Sequence, residues 1–149
     1  MTATLRTLYN LDFAEWTQIT AELLRQRKFD EIDIENIAEE IESLGKRDRR
    51  ELASRLNVLL MHLLKWTYQP QKYTHSWRNT VKEQRRQIQA ILKDSPSLKG
   101  YITEEFSDCY QEARDRAADE TGLDISAFPI KCEWPLEQVL NASYLPEIP

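Results

Sequence analysis

From Asp33 to Trp66 the apolar residues Ile34, Ile37, Ile41, Leu44, Leu52, Leu56, Leu59, Leu63 and Trp66 recur at steps of three and four, with one beat missing at Asp48. Side chains at that spacing share a helix face, so the segment reads as one long amphipathic helix. Its charges are sorted end to end. Asp30, Glu31, Asp33, Glu35, Glu39, Glu40 and Glu42 precede Lys46, Arg47, Arg49, Arg50 and Arg55, with only Asp48 and Glu51 among the bases. A stripe of this length has to be covered by other helices, which confines the chain to an all-α, bundle-like fold. Glycine inside a helix costs ~1 kcal/mol against alanine, so Gly45 and the missing beat predict a bend between Leu44 and Glu51. Glu42 with Lys46 and Glu51 with Arg55 stand at the spacing that favours ion pairs along a helix.

The flanking segments supply further helices. Asp12 is placed to cap a helix, Glu15 occupies its third position, and Leu11 is placed to staple against Trp16. The stripe Phe13, Trp16, Ile19, Leu23 and Leu24 follows, and Arg25, Arg27 and Lys28 lie at the negative end of the helix dipole. Gln69-Pro70 stops the long helix. Thr74 or Ser76 can open the next one, whose stripe runs Trp77, Val81, Gln84, Ile88 and then Ile91 or Leu92 in a four-three-four rhythm. Ser95-Pro96 is a cap-and-first-turn signal for a closely joined neighbour, with Leu98, Ile102, Phe106, Cys109, Ala113 and Ala117 on its buried side. Gly122 ends it in the left-handed conformation. Four prolines, at 129, 135, 146 and 149, mark a C-terminal wrap that is apolar enough to cover the bundle and carries one short helix. The expectation is a single four-helix bundle-like domain over 1–149, with helices near 12–27, 33–68, 75–94, 96–121 and 135–141.

A chain of 149 residues can bury roughly 70% of its unfolded surface, enough for one core. Its formal charge of −5 disfavours attraction of the whole surface to nucleic acid or acidic lipid. The first residues lack the apolar stretch of a secretory signal and no run is long enough to span a bilayer, so a cytoplasmic location without membrane attachment is expected. Cys109 and Cys132 are then expected to be free thiols.

Certain residues carry a resemblance. Leu8-Tyr9 with Asp12-Phe13 and Trp16, the run Ile37 to Gly45, the run Leu59 to Trp66, Ser76-Trp77, Phe128-Pro129 and Cys132-Glu133-Trp134-Pro135 together resemble a bacterial family of helical proteins, domain-of-unknown-function family number twenty-nine, frequent in cyanobacteria. The resemblance covers nearly the whole chain. It implies a single all-helical domain and carries over no activity, cofactor or catalytic residue.

The chemistry legible in the residues is sparse. A di-iron bundle needs Glu-x-x-His motifs, but the positions three before His62 and His75 are Leu59 and Lys72. Glu39 and Glu42 flank the apolar stripe rather than lie in it, so no metal and no cofactor is expected. Phe106 and Ala113 bracket Cys109 with apolar bulk, which raises a thiol's pKa and makes it inert. No phosphate loop or nucleophile elbow is present. The segment 65–86 is the richest, because it interleaves aromatics with bases. Tyr68, Tyr73, His75, Arg78, Lys82, Arg85 and Arg86 are the expected contact surface of a non-enzymatic protein-interaction or self-association module, with a protein partner or a homo-oligomer as the occupant. The alternative use of the same surface is nucleic-acid or polyanion binding. The acidic helix 96–121 is also expected to pair its charges with the basic helix before it.

Overall fold

The structure, a computed structural model, describes residues 2–147, with side chains from residue 5 onward. Among these residues there are helices and no strands: α1 (Thr2–Leu11), α2 (Phe13–Arg25), α3 (Ile34–Tyr68), α4 (His75–Asp94), α5 (Leu98–Thr121) and α6 (Leu136–Leu140), with single 3₁₀ turns at Phe29–Glu31, Pro70–Lys72 and Ile125–Ala127. The chain divides into two compact units, Met1–Arg47 and Asp48–Pro149. Helix α3 is unbroken through Gly45 and contributes to both.

In the first unit Asp12 caps α2, its carboxylate accepting from the Glu15 amide at 3.1 Å. The staple is different from the one expected. Leu11 stays exposed, and Trp16 packs instead against Tyr9, whose ring lies 4.9 Å away edge-on, and Phe13, stacked at 5.6 Å. Tyr9 belongs to α1, a helix the sequence reading left out. Three threonines lower the helix propensity of that segment and its first turn has no acid, yet Leu5, Leu8 and Tyr9 do stand at helical spacing. The unit's core is small: Leu5, Trp16 and Leu23, with Leu8, Ile19, Ile32 and Ile37 against them. Asp33, also buried, accepts from the Asn36 amide at 2.5 Å.

The second unit holds the main core. From Leu56 to Trp66 helix α3 is buried on nearly every side, as a central helix must be, and each fully covered leucine contributes ~2 kcal/mol. Val81, Ile88 and Leu92 of α4 and Ile102, Tyr110, Ala113 and Ala117 of α5 pack onto it. A four-three-four rhythm holds along α4, but its second buried position is Arg85 rather than the expected Gln84. Two boundaries shift. Ser95 ends α4, its amide donating to Ile91, while α5 starts only at Leu98, leaving Pro96 and Ser97 in the turn. Gly122 closes α5 with φ of 73°, as its position requires.

The C-terminal segment is the last wall of this core. Phe128, Trp134 and Val139 are buried. Side chains of the helices grip its backbone: the Tyr110 hydroxyl donates to the Pro129 carbonyl at 2.5 Å, Arg114 Nε to Phe128 at 3.1 Å, and Trp66 Nε1 to Glu147 at 3.2 Å. Charge pairing between α4 and α5 is not how the helices are held. Among the described residues the ion pairs are Arg6–Asp33, Arg55–Glu51, Lys65–Glu120 and Arg86–Glu83, none of which joins α4 to α5, and Glu42–Lys46 is not among them.

Candidate functional site

The seven residues expected to form one contact surface are divided between packing and solvent. Tyr68 is half-buried, its hydroxyl donates to Glu133 at 2.7 Å, and its ring meets Phe128 edge-on at 5.8 Å. Tyr73 lies 4.7 Å from the ring of the fully buried Trp66. Arg85 is only 3% exposed: Nε donates to the Val139 carbonyl at 2.8 Å and Nη1 to the Tyr144 carbonyl at 2.6 Å, which ties α4 to α6 and the segment beyond it. Burial pushes its pKa down, although the guanidinium keeps its proton. His75, Lys82 and Arg86 are exposed and Arg78 is half-buried. Sequence spacing correctly puts 78, 82, 85 and 86 along one helix, but it does not reveal that the C-terminal segment occupies part of that helix's flank.

Around the exposed bases α4 and α6 enclose a cleft of about 300 Å³, lined by Lys82, Arg85, Arg86 and Gln89 on one side and Leu140 and Ala142 on the other. Gln89 and Leu140 also line a neighbouring groove of about 560 Å³ that continues over Leu92, Ile102 and Leu136. Neither cavity was evident beforehand, because α6 and α4 are far apart in sequence.

The other titratable candidates are held in structural roles. His62 donates from Nδ1 to the Val58 carbonyl of its own helix at 2.9 Å, and burial lowers its pKa, with Lys65 and Arg116 acting the same way and Glu120 opposing them. Cys109 lies against the Ala53 carbonyl, and burial pushes its thiol up to about 11, the inertness expected from its apolar neighbours. Both cysteines are free thiols. No hydrogen bond joins Cys109 to His62 among the described residues. Nor is there among them a group of three His, Cys, Asp or Glu side chains able to hold a metal ion. No helix among them is long and apolar enough to cross a membrane.

A different kind of site lies on α3. Every residue from 41 to 50 is exposed, and this includes Ile41 and Leu44, which continue the stripe buried from Leu52 onward. Ile34 is exposed as well. None of Glu39, Glu42, Lys46 or Arg47 belongs to an ion pair among the described residues. Among the described residues these charges at the middle of the helix are therefore left without ion-pair partners, and Ile41 and Leu44 lie exposed between acids on one side and bases on the other.

No curated protein and no solved structure matches the chain. A family model, that of the domain of unknown function DUF29, matches residues 8–145, which takes in α2 to α6 and most of each unit. With an all-helical architecture, the family's model running through all but the ends, and the residues that carried the resemblance inside the matched span, the chain belongs to the DUF29 family.

Proposed function

We propose that this chain is a non-enzymatic helical interaction module whose partner is a second copy of itself. The observation that carries the reading is the run 41–50 of α3, exposed on every side while it presents Ile41 and Leu44. A helical stretch of nearly three turns without packing is marginal in water, and an apolar seam rimmed by charge is what an interaction surface looks like. The order of charges favours a second copy over an unrelated partner. Two such helices packed antiparallel with the two-fold between Glu42 and Ser43 set Ile41 against Leu44 of the partner subunit, and the reverse. They also bring Glu39 beside Lys46 of the partner subunit, twice over by symmetry. Gly45 lies at this crossing, and a Cβ there would meet nothing within 4 Å in the single chain. The small core of the first unit, Leu5, Trp16 and Leu23, adds to the argument, because so short a segment gains from association.

Polyanion binding through segment 65–86 has less support. Trp66, Tyr68 and Tyr73 are engaged in packing and hydrogen bonds, so they are withdrawn from stacking on bases, while His75, Lys82 and Arg86 remain as exposed bases without a platform.

Sedimentation equilibrium tests self-association. The expected result is a concentration-dependent dimer up to about 100 μM, and a monomer over the same range for the Ile41→Glu, Leu44→Glu variant, whose helical circular dichroism is unchanged because both positions are exposed. A wild-type chain that stays monomeric throughout, or a variant that dimerises as well as the wild type, would sink the reading.

A further inference from the structure

Arg85 is a buried cation that forms no ion pair among the described residues. Its Nε and Nη1 are bonded to neutral carbonyls, of Val139 and Tyr144, and its Nη2 has no hydrogen-bond partner among the described residues. The Tyr144 ring lies 6.0 Å from its guanidinium carbon, and none of the ion pairs among the described residues includes it. A charge buried against neutral dipoles alone is costly, so an anion nearby stabilises this arrangement. The cleft of about 300 Å³ offers the place, since Arg85 lines it together with Lys82 and Arg86. Lys82 is exposed and belongs to no ion pair among the described residues, while Arg86 pairs with Glu83 at 2.6 Å. Three cations less one carboxylate leave a formal balance of two positive charges at the cleft. A phosphoryl dianion matches that balance, whereas a carboxylate meets only half of it.

Gln89 and Leu140 line both this cleft and the groove over Leu92, Ile102 and Leu136, which sets apolar side chains beside the cationic end, with Lys99, Thr103, Glu137 and Asn141 as the groove's polar lining. We propose that cleft and groove together bind a small organic phosphate, its phosphoryl group at Lys82, Arg85 and Arg86 and its apolar body along Leu140 toward Leu92 and Ile102. Lys82 and Arg86 supply hydrogen bonds to the phosphoryl oxygens, and the bound charge compensates the Arg85 guanidinium. The apolar body then displaces water from Leu140 and its neighbours, which makes a purely inorganic anion the poorer occupant. This site does not depend on self-association.

Calorimetric titration of the full chain with phenyl phosphate, and separately with inorganic phosphate, in chloride buffer of constant ionic strength tests the proposal. Phenyl phosphate is expected to bind saturably with a Kd on the order of 0.1 mM, and inorganic phosphate more weakly by about tenfold. Lys82→Gln combined with Arg86→Gln, both exposed and so compatible with the fold, is expected to weaken phenyl phosphate by at least about tenfold. Absence of saturation with either probe up to about 10 mM, or unchanged affinity in the double variant, overturns the site. Equal affinity for the two probes overturns it too, because the groove then contributes nothing.

Discussion

Arg85 on α4 donates its Nε–H to the backbone carbonyl of Val139 on α6 at 2.8 Å, a hydrogen bond inside the core between residues 54 apart in sequence. With the companion bond from Nη1 to Tyr144 it makes one side chain the clasp of the C-terminal wrap. Arg85→Ala removes both donors and leaves two carbonyls with poorer partners, so it is expected to cost about 2–4 kcal/mol. Arg85→Met keeps the volume and removes the uncompensated charge, and should cost less than alanine. Urea unfolding midpoints of the two variants check the order; equal losses would mean that the donors, not the packing, carry the whole effect.

Gly45 lies in the exposed stretch of α3 with open space where a Cβ would stand. Gly45→Ala is expected to raise stability by ~1 kcal/mol through helix propensity alone, read as a higher urea midpoint at low protein concentration. A neutral or destabilising result there would show that the helix is not formed around this residue in the isolated chain.

His62 sets a pH dependence. Burial lowers its pKa from an ordinary value near 6.5, so a proton binds the unfolded chain more readily than the folded one. Its contribution to stability is therefore whole above that ordinary value and is lost as pH falls from there toward the lowered one. His62→Gln should flatten the fall in unfolding free energy between about pH 7 and pH 5 relative to wild type. Identical slopes for the two proteins would remove His62 from the account.

Much of the fold was legible because local signals agreed with one another. The stripe of α3 locates a central helix, Asp12 and Gly122 fix a start and a stop by mechanisms that need no tertiary information, and Pro70 ends the long element. Where the reading failed, a tertiary term had overruled a local preference. The rhythm of α4 put Gln84 in the buried stripe, one residue early, because periodicity assigns arginine to the surface, and only the backbone of Val139 and Tyr144 makes Arg85 a core residue. The same stripe logic that succeeds for Leu52 to Leu63 assigns Ile41 and Leu44 to a core, but both stay exposed among the described residues. Periodicity reports that a residue wants cover; it cannot say whether the cover comes from the same polypeptide. The cleft between α4 and α6 was invisible for a simpler reason, since its two walls come from segments whose meeting no local pattern encodes.

The bond from the Trp66 indole to the Glu147 carbonyl bridges 81 residues, and Phe128, Trp134 and Val139 fill the core from the same late segment. Synthesis runs in one direction at roughly 5–20 residues per second, so α3, α4 and α5 exist for a second or more before their covering wall has been made. During that interval the nascent helices carry an open apolar flank, and closing it has to await distant partners, which slows folding relative to a bundle built from neighbouring hairpins. The clasp at Arg85 thus has a temporal meaning: it is among the last bonds to form, and a ribosome stalled before residue 139 holds a chain that a chaperone should recognise.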